Sequence, residues 1–154
     1  MGLEVAQSKD GLVISQRKYA MDIIEETCLL NAKPVDTLMD PNVKLLPNHG
    51  EPLSESRKYR RLDGKLNYLK VTRSDISFAA SVVSKFWNSP RQEHMNVVIR
   101  ILKYIKGDPG KSLIYEDKGH TRIVGYSDAN WTASPIDRQS TSGYCVLIGG
   151  NLIS

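Results

Sequence analysis

The feature that most constrains this chain is a change of hydrophobic period along its length. Between about residues 56 and 107, apolar residues recur every three or four positions, the spacing of one face of an α-helix. Before and after that stretch they alternate with polar residues or form short runs rich in Ile, Val, Leu and Tyr, which is typical of strands. The pattern predicts an α+β fold with a helical middle between two β-regions.

The N-terminal residues predict a β-hairpin followed by a helix. An Asp-Gly turn at residues 10–11 separates two alternating segments, whose apolar residues are Leu3, Val5, Leu12 and Ile14. From Gln16 the period becomes helical, and the predicted buried face consists of Tyr19, Ile23, Ile24 and Cys28. Residues 31–55 carry four of the seven prolines and little periodicity, which predicts a linker or a functional loop.

Three helices are predicted in the middle of the chain. Ser54 is expected to cap the first and Ser74 the second. Before the third helix, Ser89-Pro90 followed by Gln92 predicts a capping box. The apolar stripe of the second helix is expected to continue into the core through Phe86 and Trp87. Three strands should follow, over residues 111–116, 121–128 and 142–149.

Composition excludes several classes of protein. No run of about 18 apolar residues occurs, and no apolar segment follows a basic N-terminus, so the sequence predicts neither a membrane helix nor a secretory signal. We expect an intracellular protein of the cytoplasm or nucleus, without a membrane partner. Cys28 and Cys145 are too few for a disulfide framework and are expected to be small buried hydrophobes. The three histidines lack zinc-ligand spacing.

The charge is unevenly distributed. Residues 57–111 hold 13 Lys and Arg against 4 Asp and Glu, while the rest of the chain holds 8 against 13. A basic middle between acidic ends favours a surface that faces a polyanion. An ordinary solvated face is the alternative.

Three stretches of the sequence, residues 2–26, 59–90 and 100–150, resemble the copia-type retrotransposon Pol polyprotein in the family's own order. The resemblance implies the distal end of a reverse transcriptase, then thumb and connection, then the first strands of ribonuclease H, with the chain truncated at both ends. The parent activity would be RNA-directed DNA synthesis with cleavage of RNA–DNA hybrids. The implied regions are a primer-grip-like hairpin with its helix (1–30), a Pro-containing linker (31–55), a thumb/connection-like helical region (56–110) and incomplete ribonuclease H-like strands (111–154).

The predicted helix at 57–71 resembles the thumb helix that lies along the primer–template. Its spacing predicts one basic face, free of the apolar stripe, that consists of Arg57, Arg61, Lys65 and Tyr68 with Gly64 inside it. Arg and Lys neutralise phosphates, and glycine permits close approach of a nucleic-acid backbone. We therefore predict binding to duplex nucleic acid or an RNA–DNA hybrid. The alternative is a solvated helix in which Gly64 is a helix–helix contact. Asp63, where the family usually has an apolar residue, is expected to weaken binding or packing.

The segment from Tyr126 to Trp131 resembles the family's Ser-Asp-Ala-Asp-Trp sequence, which implies that Asp128 is the first Mg²⁺ ligand of ribonuclease H. Asn130 replaces the family's second aspartate, and the sequence contains no Asp-Asp pair of the kind that the polymerase site needs. Chemistry with two metal ions requires several convergent carboxylates. Asp128 is therefore expected to be an orphan catalytic carboxylate that binds Mg²⁺, the parent family's cofactor, only weakly. The chain alone is predicted to be inactive.

Two other hypotheses stay open. The chain completes a split enzyme with a partner that supplies the missing carboxylates, or it is the non-functional product of a decayed transposon. Strands at 142–154 that lack the rest of their sheet are also expected to expose an apolar face and an edge. Self-association through those residues is therefore predicted.

Overall fold

A computed structural model describes residues 2–40, 45–47, 50–130 and 141–153. Within these ranges the chain forms four α-helices and six β-strands, which confirms the mixed α+β class predicted from the hydrophobic period. No helix in the described ranges is long and apolar enough to cross a membrane.

The helices and strands follow the predicted order. The hairpin consists of β1 (Glu4–Ser8) and β2 (Gly11–Ser15), and α1 (Arg17–Glu26) follows it. The middle of the chain contains α2 (Ser56–Leu69), a 3₁₀ turn (Ser74–Ile76), α3 (Ser77–Ser84) and α4 (Gln92–Gly107). The remaining strands are β3 (Leu113–Glu116), β4 (Ile123–Asn130), β5 (Thr141–Ile148) and β6 (Asn151–Leu152).

The chain divides into two compact units. One comprises the segment up to Glu4 together with Ile14–Leu113, and it contains the four helices. The other comprises Val5–Val13 together with the segment from Ile114 onwards. The hairpin strands thus group with later strands. The physical reason is strand pairing, because β1, β2 and β3 form one three-stranded sheet in that order.

The helical unit is built around one apolar core to which all four helices contribute. Helix α1 supplies the predicted Tyr19, Ile23 and Ile24. The larger contribution comes from the other helices, whose fully buried side chains include Tyr59, Leu62, Leu66, Val83, Ile101, Leu102 and Ile105. Burying each such side chain contributes roughly 1.5–3 kcal/mol.

A buried arginine, Arg73, joins the segment after α2 to the end of α4. Arg73 is only 2% exposed, and its Nε and Nη2 donate to the two carboxylate oxygens of Asp75 at 3.0 Å each. Its Nη1 donates to the carbonyl oxygen of Asp108 at 2.7 Å, and Lys111 Nζ lies 3.3 Å from Asp75. Burial acts to raise the pKa of Asp75, but the hydrogen bonds and charges of Arg73 and Lys111 together outweigh it and lower the pKa to about 2.

The strand unit contains two three-stranded sheets, β1-β2-β3 and β4-β5-β6. Gly11 begins β2 with φ of 144°, and a Cβ there would overlap the carbonyl oxygen of Tyr115. In the second sheet β4 pairs antiparallel with β5, so that Ile123 lies opposite Ile148 and Asp128 opposite Gly143. Large apolar side chains on both faces of this sheet are exposed: Ile123, Tyr126, Tyr144, Ile148 and Leu152.

The helix starts differ from those expected. Helix α2 begins after Glu55, and neither it nor the 3₁₀ turn that starts at Ser74 has a side-chain cap, so the predictions for Ser54 and Ser74 are wrong. Arg91, not Ser89, is the N-cap of α4, and His94 Nδ1 accepts from the backbone N–H of Arg91 at 3.0 Å. The reason is an extended segment, because Pro90 and Gln92 make backbone hydrogen bonds to the loop at residues 51–53.

The prediction that both cysteines are buried is also wrong. Cys28 is exposed and Cys145 is partly buried. Helix α1 ends at Glu26, and Cys28 adopts a left-handed conformation with φ of 58°, so the helical face does not extend to it. Such a φ is unusual for a residue with a side chain and marks the turn that ends the helix.

Arg73 and Lys111 lower the pKa of Asp75 in the folded state, so the ionised carboxylate stabilises the fold. We therefore expect Asp75→Asn to lower the free energy of unfolding at pH 7 by about 2 kcal/mol or more. The folded pKa lies below the ordinary value of 3.8, so this contribution is present above about pH 4 and is lost as the pH falls towards 2. Urea titrations across that range measure it. Asp22→Asn, at an exposed carboxylate of α1, is the control. A pH-independent difference between wild type and Asp75→Asn would contradict the assignment.

Candidate nucleic-acid interface

Helix α2 carries the candidate interface because its sequence separates an apolar side from a basic one. The apolar side is buried and consists of Tyr59, Leu62, Leu66 and Leu69. Tyr59 also donates its hydroxyl hydrogen to the carbonyl oxygen of Val83 at 2.6 Å, which fixes the rotation of α2 against α3. Five of the 14 residues are basic, and they are Arg57, Lys58, Arg60, Arg61 and Lys65.

Two of the predicted site residues contact α1. Arg61 Nη2 lies 2.7 Å from one carboxylate oxygen of Glu26, and Lys65 Nζ donates to the other. The hydrogen bond from Lys65 holds the pKa of Glu26 below its ordinary value. A carboxylate at the C-terminal end of a helix is unfavourable by itself, so these cations offset the helix dipole of α1. The expectation of a basic face free along its whole length is therefore corrected for Arg61 and Lys65.

Tyr68 belongs to the same contact between helices. Its ring meets that of Tyr19 edge to face, with centroids 5.1 Å apart and planes at 88°. This arrangement is a favourable one for aromatic pairs. The side chain is half-buried against the core, so it contributes to the packing of α1 on α2.

Arg57 and Gly64 are both exposed on α2. Arg57 is exposed, and no carboxylate lies within ion-pair distance of it among the described residues. A Cβ at Gly64 would meet no atom of the described residues within 4 Å, so the alternative interpretation of Gly64 as a helix–helix contact finds no support among them.

Arg60 completes this surface, and the sequence analysis missed it. Its guanidinium lies over the ring of Trp87, 4.9 Å from the centroid, and its Nε donates to the Trp87 carbonyl oxygen at 3.1 Å. The signal in the sequence was its spacing, three residues after Arg57 and four before Gly64. Arg57, Arg60 and Arg61 line one open cleft. We call these three residues the arginine ridge.

Trp87 was expected in the core, and that prediction is wrong. It is 48% exposed, whereas its neighbour Phe86 is 6% exposed and stacks on His94 at 3.8 Å. The cause is the end of α3 at Ser84, after which the helical period no longer determines which side chains are buried.

Asp63 does not lie on the ridge. It is 4% exposed and accepts a hydrogen bond from the hydroxyl of Ser84 at 2.7 Å. Asn67 in turn donates to Ser84 Oγ at 3.0 Å. The acid that departs from the family pattern is therefore part of the polar contact between α2 and α3, which satisfies its buried oxygen.

Asp128 lies on β4 and is exposed. Within the part of the chain that the structure describes, no group of three or more His, Cys, Asp or Glu side chains is placed to hold a metal ion. Asn130 is described only in its backbone, and Trp131 and Asp137 lie outside the described residues. Magnesium takes several oxygen ligands, so the described residues do not form a magnesium centre around Asp128.

We expect Glu26→Gln to lower the free energy of unfolding by about 0.5–1 kcal/mol, because it removes two partly exposed ion pairs. The effect should shrink at high salt, where such pairs are screened. Urea denaturation at low and high salt measures it. Glu25→Gln makes the same charge change at the preceding, exposed position and should be nearly neutral. Equal losses in both variants would show that the pairs with Arg61 and Lys65 contribute nothing specific.

No family model matches the chain. No solved structure matches it either. The retrovirus-related Pol polyprotein from transposon RE1 of Arabidopsis thaliana is 40% identical over 155 residues, which cover 100% of this chain and 10% of that polyprotein. The polyprotein from transposon RE2 of the same plant is 38% identical over 155 residues, covering 100% of this chain and 11% of the polyprotein. An uncharacterized mitochondrial protein of Arabidopsis thaliana is 28% identical over 154 residues, covering 100% of this chain and 64% of that protein.

The similarity therefore includes both units and the whole of α2, and the chain spans about a tenth of the length of the two polyproteins. A third transposon polyprotein, TNT 1-94 of Nicotiana tabacum, is 32% identical over 163 residues, covering 100% of this chain and 12% of its own length. The resemblance found in the sequence is confirmed by these relatives. The chain belongs to the family of copia-type, retrovirus-related transposon Pol polyproteins, as a segment of them.

Proposed function

We propose that the chain binds duplex nucleic acid or RNA–DNA hybrids through the arginine ridge, without catalysis. The observation that carries this proposal is the grouping of three arginines along one open cleft, on a helix whose other side is core. Guanidinium groups bind phosphate oxygens with two hydrogen bonds. Contacts of this kind fix the position of a nucleic acid and are indifferent to its sequence.

The charges on the ridge differ in availability. Arg57 is exposed without a carboxylate partner among the described residues. Arg60 is held in position by the carbonyl oxygens of Trp87 and Asn88, and it makes no ion pair within the part of the chain that the structure describes. Arg61 is paired with Glu26 but its side chain is 58% exposed, so a phosphate can compete for it. Arg57 and Arg60 should therefore contribute most to binding.

The family relationship supports a finer assignment, which is part of the same proposal. We assign the hairpin and helices to the distal end of a reverse transcriptase with its thumb and connection, and β4–β6 to the start of ribonuclease H. Two observations support it: the order of the helices and strands, and the similarity of the whole of this chain to part of a transposon polyprotein. Asp128 alone does not supply the several carboxylates that two-metal hydrolysis requires, so we infer binding without turnover.

We expect Arg57→Gln to weaken binding to a labelled RNA–DNA hybrid and to reduce the slope of log affinity against log salt by about one. Fluorescence anisotropy across a salt series measures both. Lys103→Gln, on α4, makes the same charge change away from the ridge and is the matched control. No binding at low salt by a wild-type chain that unfolds cooperatively would contradict the proposal and favour a decayed remnant.

The exchange of Arg61 and Lys65 for glutamate is a poor test of binding. Both cations contact Glu26, so reversal places three carboxylates together at the junction of α1 and α2. Loss of binding in such a variant would follow from loss of the fold as readily as from loss of phosphate contacts. Arg57 avoids this ambiguity because it makes no ion pair in the described structure.

We also propose that a second copy of the chain covers one face of the β4-β5-β6 sheet. Ile123 and Ile148 are paired across the strands, and Tyr144 lies on the same face because side chains alternate along β5. All three are exposed, and Tyr144 is 73% exposed. An apolar sheet face of this kind favours association.

We expect the chain to show concentration-dependent self-association in sedimentation velocity, and Tyr144→Ser to reduce it. Removal of the aromatic ring takes away the most exposed apolar group of the face. Phe78→Ser, at an exposed aromatic of α3, is the matched control and should change nothing. A wild-type monomer at all concentrations would overturn the proposal.

A further inference from the structure

Trp87 lies beside the ridge, against Arg60, with about half of its surface exposed. We propose that the Arg60–Trp87 pair is a stacking site for an unpaired base, so that the chain also binds single-stranded nucleic acid. This inference rests on the proposed function, because the neighbouring arginines would hold the phosphates of the same strand.

Arg60 contacts both the ring of Trp87 and the backbone next to it. The Arg60 guanidinium carbon lies 4.9 Å from the centroid of the indole ring. Its Nε donates to the carbonyl oxygen of Trp87 at 3.1 Å, and its Nη2 lies 3.4 Å from that of Asn88. Arg60 is thereby held in place through the backbone of the turn that follows α3. The guanidinium is thereby already in place against the indole ring, which lowers the entropic cost of completing the stack with a base.

The indole itself is not needed to hold Arg60. The hydrogen bonds of Arg60 go to main-chain carbonyl groups, which any residue at positions 87 and 88 would supply. Nor does the ring fill the core, because the adjacent Phe86 takes the buried position and stacks on His94. The exposed half of this large aromatic side chain is therefore available for a ligand.

The chemistry of the exposed surface fits a nucleobase. Every base has a π-face, so stacking on an aromatic side chain is tolerant of sequence, and a guanidinium adds a cation–π contribution. Arg57 and Arg61 lie within one helical turn of Arg60, on the same ridge, where they reach the phosphates flanking a stacked base. A fully paired duplex keeps its bases stacked on each other and offers none to Trp87. The site therefore selects single strands or the unpaired end of a duplex.

The test uses the fluorescence of Trp87. The chain has two tryptophans, so Trp131→Phe leaves Trp87 as the sole reporter. Titration with oligothymidylate at low salt should quench its emission to saturation, and an abasic strand of equal length should not. Trp87→Leu should weaken single-strand affinity about tenfold in anisotropy and leave hybrid affinity nearly unchanged. Trp87→Phe should restore most of the lost affinity.

Phe78→Leu is the matched control, because Phe78 is an exposed aromatic that stacks on no described cation. It should change neither affinity nor quenching. Absence of quenching, or single-strand binding by Trp87→Leu at wild-type strength, would overturn the inference. If hybrid binding still depends on Arg57, the proposed function survives that result. If instead single strands quench Trp87 and hybrids fail to bind, the stacking site stands and hybrid binding is the part that fails.

Discussion

The rotation of α2 in the helical core decides which of its cations remain available to a ligand. One side of the helix is held in the core by the burial of Leu62 and Leu66 and by the hydrogen bond from Tyr59 to Val83. Burial of these side chains contributes several kcal/mol, far more than any single surface ion pair. The burial of the apolar side therefore determines where each basic side chain of α2 lies. Lys65 faces α1, Arg60 faces the turn after α3, and Arg57 lies between them on the open side.

The basic residues of α2 fall into two groups, those that pair with Glu26 and those that do not. Lys65 and Arg61 neutralise Glu26 and join α1 to α2, so a phosphate would have to displace a carboxylate to bind them fully. Among the described residues, the hydrogen-bond acceptors of Arg60 are neutral carbonyl oxygens, which orient it without neutralising its charge. The number of basic residues on α2 therefore exceeds the number of cations on it that lack a carboxylate partner in the described structure. Whether a basic residue of α2 is neutralised depends on its distance from Glu26, which pairs with Arg61 and Lys65.

The sequence predicted the class of fold, most helices and strands, and the family, because these depend on local periodicity and on long matching stretches. It did not predict the partner of Lys65, since Glu26 is 39 residues away in the chain and reaches it only through the packing of α1 on α2. Trp87 was misplaced for a related reason, because the helix that set the period ends three residues before it. Arg60 was missed because the predicted face was traced from Arg57 through Arg61 and Lys65, and Arg60 lies on the other side of Arg57 around the helix. The N-cap predicted before α4 is wrong because residues 90 and 92 make backbone hydrogen bonds to the loop at residues 51–53, which is distant in the chain.

Binding and catalysis make different demands on a fold, and that difference explains the combination proposed for this chain. A phosphate-binding ridge needs one helix held by its apolar side, and the elements that hold α2 all lie within the helical unit. A two-metal site needs carboxylates that converge from several elements, and losing even one of them leaves the metals poorly held. Asp128 is exposed on β4, and no metal-binding group of three or more residues forms among the described residues. The proposed binding therefore depends on fewer elements of the fold than a two-metal reaction would.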